Sequence, residues 1–207
     1  MSIKYIGITQ RIPLSILETA LVSYLNGYYS RDYVSEQLRL EFEGENRVKK
    51  TLIMVHRIIA NNPLKNFILT NKLLLENALK IKEERNVILI SLINGAYPFS
   101  YNSLRILGKL FSAQDYISRE AFIREMTKQY GGNRTTANAA DSVIPMCMEA
   151  GFIQRPKRSI YSMQQPVFIS TQIAMHIYQE SFKINNSISE IKDYQHLDPY
   201  FIFVEKR

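Results

Sequence analysis

The stretch GGNRTTANAADSVIPMCMEAGFIQRPKRSIYSM, residues 131–163, decides the fold of this chain. Two glycines end one helix, and the residues after them repeat their apolar positions at the spacing of a second helix. Its inward side is predicted to carry Ala137, Ala140, Val143, Ile144 and Cys147. Its outward side is predicted to carry Thr135, Asn138, Ala139 and Ser142, with Arg134 at the start. Short polar side chains on the outside of a helix are typical of a surface that lies close against a grooved, polar partner.

The second half of the stretch predicts a β-hairpin with a positively charged tip. The helical period ends at Gly151, and the apolar pairs 152–153 and 160–161 flank the turn sequence Arg-Pro-Lys-Arg at 155–158. Pro145 lies inside the predicted helix and removes one backbone N–H, so we expect a kink near residues 141–144.

A capped amphipathic helix precedes the double glycine. Ser118 is a typical N-cap residue, and Phe122, Met126 and Tyr130 recur on one face of the helix after it. A capped helix, a glycine turn and a second helix form a helix-turn-helix, and the hairpin adds a wing. Residues 101–169 therefore resemble a winged-helix domain.

The same unit recurs near the start of the chain. Residues 29–50 align with residues 117–138 across a one-residue gap, and the N-cap residues Ser30 and Ser118 correspond. In both copies glycine precedes an Asn-Arg pair that opens a second helix. The recurrence predicts a helix-turn-helix-like unit within residues 1–63, although capped helices followed by glycine also resemble one another by chance.

The remaining segments are predicted to be mostly helical. The spacing predicts a first helix over residues 14–25 and a helical connector over residues 64–100. In the connector, residues 64–93 are predicted to form one or two helices that end at Asn94-Gly95. Its predicted core positions are Leu73, Leu74, Ala78, Ile81, Ile88 and Leu92. Residues 170–207 are predicted to be a helix capped by Ser170 or Thr171 and a terminal strand or docked end. The fold class is mainly α: helix-turn-helix units joined by a helical middle, the last of them with a short β-hairpin.

Composition places the chain among globular proteins with a basic balance. Its 207 residues are 46% hydrophobic, and 26 Lys and Arg residues against 19 Asp and Glu residues give a net charge of +7. A positive balance permits a polyanionic partner without requiring one. The lone cysteine, Cys147, excludes a disulfide within the chain. No secretory signal and no apolar run long enough to span a membrane are evident, so we expect a cytoplasmic protein with no membrane partner.

Candidate DNA contacts follow from these elements. They are Arg134, Thr135, Asn138 and Ser142 on the helix, Arg155, Lys157 and Arg158 on the hairpin, and Arg47, Lys49 and Lys50 in the first copy. Asn can bond adenine edges, Thr can touch thymine methyl groups, and Lys and Arg can bind phosphates. Asp141 would have to point aside. The first copy also carries Glu41, Glu43 and Glu45, so it is either a packing or protein-contact module or a weaker second DNA site.

No catalytic constellation is evident in the sequence. His56, His176 and His196 lie far apart, and there is no phosphate-binding loop, dinucleotide motif or nucleophile elbow. We therefore expect no enzymatic activity, no metal and no cofactor.

The order of motifs also resembles the BrxA-type accessory proteins of BREX phage-defence systems. The matching segments are Gly-Ile-Thr-Gln at 7–10, Glu-Asn-Arg-Val-Lys-Lys at 45–50, and Met-Glu-Ala-Gly-Phe at 148–152. This resemblance implies a bacterial DNA-binding helical protein without enzymatic activity that works beside other defence-system proteins.

Three functions thus remain open. The first is a double-stranded DNA-binding protein, either a defence accessory factor or a winged-helix transcriptional regulator. The second is a helical RNA-binding protein, whose 13 Tyr and 10 Phe residues would stack on bases. The third is a protein adaptor. Duplex binding with steep salt dependence favours the first of these functions.

Overall fold

A computed structural model describes residues 5–207, and within that range the chain forms ten α-helices, two 3₁₀-helices and five short strands. The helices are α1 Leu14–Leu25, α2 Arg31–Glu41, α3 Glu45–Ile59, α4 Lys65–Thr70, α5 Lys72–Ala78, α6 Lys82–Ala96, α7 Pro98–Phe111, α8 Arg119–Tyr130, α9 Arg134–Glu149 and α10 Gln172–Asn186. The strands are β1 Tyr116–Ser118, β2 Ile153–Lys157, β3 Ile160–Met163, β4 Val167–Ile169 and β5 Val204–Lys206, and the 3₁₀-helices are Asp193–Leu197 and Pro199–Phe203. The predicted mainly helical class is confirmed, and α1 has its predicted bounds.

Helix α6 is the centre of the molecule. Every residue from 86 to 96 is buried, and the helix packs against α1, α3, α7 and α10. A helix that is apolar all round must be covered on every side. Buried apolar side chains from all ten helices form one continuous core around it.

The prediction that Asn94-Gly95 ends this helix is wrong. The helix continues to Ala96, and Pro98 opens α7 after a one-residue break. Asn94 is fully buried, where its amide donates to the Tyr200 hydroxyl at 3.0 Å. A Cβ at Gly95 would come within 3.1 Å of Leu64, so the close packing there leaves little room for a side chain. Asn94 is therefore kept inside the helix by a partner distant in sequence, and Gly95 lies where it packs closely against Leu64.

Three predicted core positions of the connector are also wrong. Leu73, Leu74 and Ile81 are 73%, 58% and 42% exposed, whereas Ala78, Ile88 and Leu92 are buried as predicted. The connector is not one or two continuous helices, because breaks at Asn71 and near residue 80 divide it into α4, α5 and α6. Each break rotates the next helix, so one continuous helical stripe does not describe the buried face.

The C-terminal segment is docked rather than extended. Residues predicted to begin a terminal strand form the 3₁₀-helix Pro199–Phe203, which packs against α7. The strand starts at Val204, where β5 pairs in parallel with β4. Thr171 is the N-cap of α10, and its hydroxyl accepts a hydrogen bond from the backbone N–H of Ala174.

A buried carboxylate organises the start of α10. Glu84 has no exposed surface, and one carboxylate oxygen accepts from the backbone N–H groups of Ser170 at 2.7 Å and Thr171 at 2.9 Å. The Ser170 hydroxyl donates to the same oxygen at 2.9 Å, and the Thr171 hydroxyl donates to the other carboxylate oxygen. Burial acts to raise the pKa of Glu84, but these hydrogen bonds together outweigh it and hold the pKa below its ordinary value.

Replacing Glu84 with glutamine is expected to lower the free energy of unfolding by about 2 kcal/mol at pH 7, because a charged acceptor of several hydrogen bonds is lost. A carboxylate whose pKa is lowered by folding stabilises the protein above its unfolded pKa, and this stabilisation disappears as the pH falls through the folded pKa. The difference between wild type and variant should therefore shrink below about pH 4.5. Urea unfolding across a pH series measures it.

The exposed neighbour Glu83, replaced by glutamine, is the matched control and should change little at any pH. A constant difference between wild type and the Glu84 variant from neutral to acid pH would contradict the role of the charge.

Candidate nucleic-acid interface

A three-stranded antiparallel sheet supports the hairpin. The strand order is β1-β3-β2, and Ser118 of β1 lies opposite Ile160 of β3. The turn is formed by Arg158-Ser159, and Ser159 has a positive φ of 60°. The hairpin is confirmed, but the predicted turn at residues 155–158 is wrong, because residues 155–157 belong to β2 and pairing with β3 continues to Lys157. Sequence reasoning missed β1, whose only signal is three residues with exposed Tyr116 beside buried Ile117.

The predicted N-cap and apolar face of α8 are confirmed in the helix pair before the hairpin. The Ser118 hydroxyl accepts from the backbone N–H of Ala121 at 3.1 Å, and the apolar face of α8 is fully buried. Gly131, with φ of 85°, ends α8 in a conformation that side chains disfavour. Asn133 then caps α9 by accepting from the backbone N–H of Thr136 at 3.0 Å. Sequence reasoning missed this cap, although Asn before a helical run is a common signal.

The residues of α9 that face solvent differ from the predicted set, as they would if the helix were rotated about its axis. Arg134, Thr135 and Asn138 are exposed. The prediction for Ser142 is wrong, because it is only 8% exposed and its hydroxyl donates to the carbonyl of Asn138 at 2.8 Å. The exposed stripe instead continues to Asp141, three residues after Asn138.

Two further assignments change with this rotation. Ala139, predicted to face outward, is buried against the core, and Ala137, predicted to face inward, is only partly buried. Helix α9 continues through Pro145 to Glu149. The kink near residues 141–144 stays a prediction.

An ion pair crosses between the two helices at this face. Arg119, the first residue of α8, donates from Nε and Nη2 to the two carboxylate oxygens of Asp141 at 2.6 and 2.5 Å. These hydrogen bonds raise the pKa of Arg119 above its ordinary value. The backbone N–H of Arg119 donates to the carbonyl of Ser159 at 2.8 Å. Arg119 therefore contacts both α9 and the hairpin turn.

The three basic residues of the hairpin extend into solvent. Arg155, Lys157 and Arg158 are exposed, and the Arg155 guanidinium lies 5.7 Å from the centre of the Tyr161 ring. None of the three forms an ion pair with a carboxylate of residues 5–207. Because Arg119 bonds both to the carbonyl of Ser159 and to Asp141, the turn of the hairpin is adjacent to the Asp141 end of the exposed stripe of α9.

The first helix pair repeats the framework with different surface chemistry. The Ser30 hydroxyl caps α2 by accepting from the backbone N–H of Tyr33 at 3.1 Å, and Gly44, with φ of 93°, precedes α3. Arg47, Lys49 and Lys50 are all exposed on α3, and the Arg47 guanidinium lies 4.1 Å from the centre of the Phe42 ring.

The acidic residues near α3 are partly neutralised. Arg39 donates to both carboxylate oxygens of Glu45 at 3.0 and 3.4 Å, and this pairing lowers the pKa of Glu45. Glu41 and Glu43 remain exposed close by. Helix α3 packs on α1, α2 and α6, and α9 packs on α6, α7, α8 and β2, so the two sets of basic residues are carried by helices that share α6 as a neighbour.

Comparison with protein-family models, with curated proteins and with solved structures finds no match to this chain. In the part of the chain that the structure describes, no helix is both long enough and apolar enough to cross a bilayer.

Proposed function

We propose that this protein binds double-stranded DNA without catalysing a reaction, and that residues 98–163 form a winged-helix unit. The order of elements supports this proposal: helix α7, strand β1, helices α8 and α9, and then the hairpin β2–β3, in a sheet of order β1-β3-β2. The observation that carries the proposal is that Arg119 joins the exposed stripe of α9, at Asp141, to the turn of the basic hairpin, whose cations form no ion pair with a carboxylate of residues 5–207.

The chemistry of this surface suits a duplex. Helix α9 would enter the major groove, where Asn138 reads adenine and the Thr135 methyl group touches thymine. Arg134 would reach a phosphate or a guanine, and Lys157 and Arg158 would follow the phosphate backbone. Residues 116–163 carry seven Lys or Arg residues against four Asp or Glu residues, so the unit is modestly positive and its affinity should depend on salt.

The placement of the aromatic residues favours a duplex over single-stranded RNA. Eleven of the 23 Tyr and Phe side chains, including Tyr97, Tyr130, Tyr178 and Tyr200, are buried and cannot stack on bases. The exposed ones are scattered over separate elements: Tyr5, Tyr28, Tyr116, Phe168 and Tyr194. Single-strand binding uses a row of exposed aromatic rings along one groove.

Arg47, Lys49 and Lys50 are proposed as a weaker second DNA contact, since all three are exposed but follow Glu41 and Glu43 closely in the chain. The resemblance to BREX accessory proteins suggests other defence-system proteins as partners, whereas a transcriptional regulator would act at its own operator. Co-purification of the natively expressed protein separates these two roles.

Reversing the hairpin charges is expected to weaken duplex binding at least tenfold, since three phosphate contacts are replaced by repulsion. The variant carries Arg155→Glu, Lys157→Glu and Arg158→Glu. Its plot of log affinity against log salt should be shallower by about 3, at roughly 0.9 for each lost contact. Fluorescence anisotropy of a labelled duplex at several salt concentrations measures both quantities.

A matched variant carries the same three charge reversals away from the proposed surface. Lys65, Lys80 and Lys82 are exposed on the connector and are replaced together by glutamate. If the two triple variants bind duplex DNA equally well, the hairpin is not part of the interface. If wild type binds no duplex at low salt, the proposed function is wrong.

A further inference from the structure

The exposed stripe of α9 presents a carboxylate to the proposed DNA. Asp141 follows Asn138 by three residues on the same face, and about two fifths of its side chain is exposed. A bare carboxylate there would repel phosphates across a groove, because like charges are not fully screened at such short range. The presence of Asp141 on a proposed DNA-binding surface therefore requires an explanation.

The hydrogen bonds of Asp141 explain its presence there. Its carboxylate binds the Nε and Nη2 side of the Arg119 guanidinium, which fixes the plane of that group. A guanidinium has five N–H donors, so three remain, two of them on Nη1. About a third of the Arg119 side chain is exposed, so these donors can reach a ligand.

The position of Arg119 corresponds to the path of a DNA strand. If α9 lies in the major groove and the hairpin touches the next stretch of backbone, the intervening phosphate strand must pass between them. Arg119 lies at that point, since its backbone N–H bonds to Ser159 in the hairpin turn and its side chain bonds to α9.

We propose that Arg119 is a phosphate-contacting residue of the DNA interface and that Asp141 is a positioning residue that orients it. This inference rests on the proposed DNA binding. Arg binds phosphate through paired donors in a fixed plane, and a side chain held in that orientation before binding loses less conformational freedom. Asp141 therefore promotes binding of a polyanion although it is itself an anion.

The sign of one substitution tests the proposal. Asp141→Asn removes a negative charge from the DNA-facing stripe, so simple electrostatics predicts tighter binding. We expect instead a loss of affinity of about threefold to tenfold, since the guanidinium is no longer held. Arg119→Gln should weaken binding about tenfold or more and make the salt dependence shallower by about 1.

A double-mutant cycle shows whether Asp141 acts through Arg119. In the Arg119→Gln background, Asp141→Asn should no longer weaken binding, because the arginine that it positions is absent. Glu120, exposed beside Arg119, provides the matched control: Glu120→Gln makes the same charge change and should leave affinity unchanged or raise it. Thermal unfolding should be nearly unaffected in all variants, since exposed ion pairs contribute little to stability.

The possible outcomes distinguish failure of the Arg119–Asp141 inference from failure of the proposed DNA binding. If wild type binds duplex DNA and Asp141→Asn binds it more tightly, Asp141 is only a repulsive charge and the inference is wrong while DNA binding stands. If Asp141→Asn weakens binding equally with and without Arg119, Asp141 does not position Arg119 and the inference is wrong. If wild type does not bind duplex DNA, both fail together.

Discussion

Replacing Gly108 with alanine is expected to destabilise the protein by about 3 kcal/mol, at the upper end of the usual cost of overpacking. Gly108 lies in α7 where the 3₁₀-helix Pro199–Phe203 crosses it, and an added Cβ would lie 2.0 Å from the carbonyl oxygen of Pro199. That oxygen belongs to the backbone, so no rotamer change relieves the overlap. The C-terminal segment would have to move away from α7.

The sign of the stability change distinguishes tertiary packing from helix propensity. Alanine inside a helix is favoured over glycine by about 1 kcal/mol, so helix propensity alone predicts stabilisation. We expect the opposite sign, with a fall in Tm of about 10 °C for a chain of this size. Differential scanning calorimetry and urea unfolding measure it.

Gly132 provides a comparison for the same substitution. It is exposed, and a Cβ there would meet the Thr127 methyl group at 3.3 Å, which a small side-chain movement relieves. Gly132→Ala should change stability by roughly 0.5 kcal/mol at most. A Gly108→Ala variant as stable as wild type would show that the C-terminal segment does not lie against α7.

Replacing Tyr200 with alanine is expected to cost about 4 kcal/mol, since large aromatic side chains in a core are among the most costly to truncate. Tyr200 is fully buried, and its ring stacks on that of Tyr178 with centres 4.3 Å apart and planes inclined by 12°. The Tyr101 ring lies 4.8 Å away on another side. Alanine would leave a cavity between α6, α7 and α10.

The hydroxyl of Tyr200 belongs to a buried relay with a defined direction. The Ser181 hydroxyl donates its single proton to the carbonyl of Tyr178 at 2.7 Å, so Tyr200 must donate to Ser181, 2.6 Å away. Tyr200 in turn accepts from the amide of Asn94 at 3.0 Å. Burial is the main cause that raises the pKa of Tyr200, so the hydroxyl stays protonated and keeps this direction.

Tyr200→Phe separates the ring from the hydroxyl. Phenylalanine keeps most of the packing but leaves the Asn94 amide without an acceptor, so we expect a loss of about 2 kcal/mol, half that of the alanine variant. Urea unfolding of the two variants under the same conditions gives the comparison. If Tyr200→Phe left the free energy of unfolding unchanged, that result would contradict a buried chain of satisfied hydrogen bonds at Tyr200.

Local signals in the sequence predicted what depends on local contacts. The N-caps at Ser30 and Ser118, the bounds of α1 and the change of period at Gly151 were all found, because capping bonds and amphipathic spacing involve residues close in the chain. The exposure of Arg134, Asn138 and the hairpin charges followed from the same reasoning.

What was missed depends on partners far away in the chain. Asn94 stays inside α6 because Tyr200, more than one hundred residues later, satisfies its amide. Strand β1 exists because β3 pairs with it, and three residues carry too little pattern to show this. The true outward stripe of α9 runs through Asp141 rather than Ser142, and Asp141 pairs there with Arg119 of α8, a contact that the spacing within α9 does not show.

The continuous core around α6 also fixes the geometry between the two helix pairs. Helix α3 and helix α7, which supports α9, both pack directly on α6, without a flexible linker between the units that they belong to. The distance and the angle between the two outward helix faces are therefore set once, when the chain folds. A duplex that touched both faces would have to present its two contact points at that spacing or bend to reach them. The fixed spacing would therefore select duplexes by the distance between their two contact points.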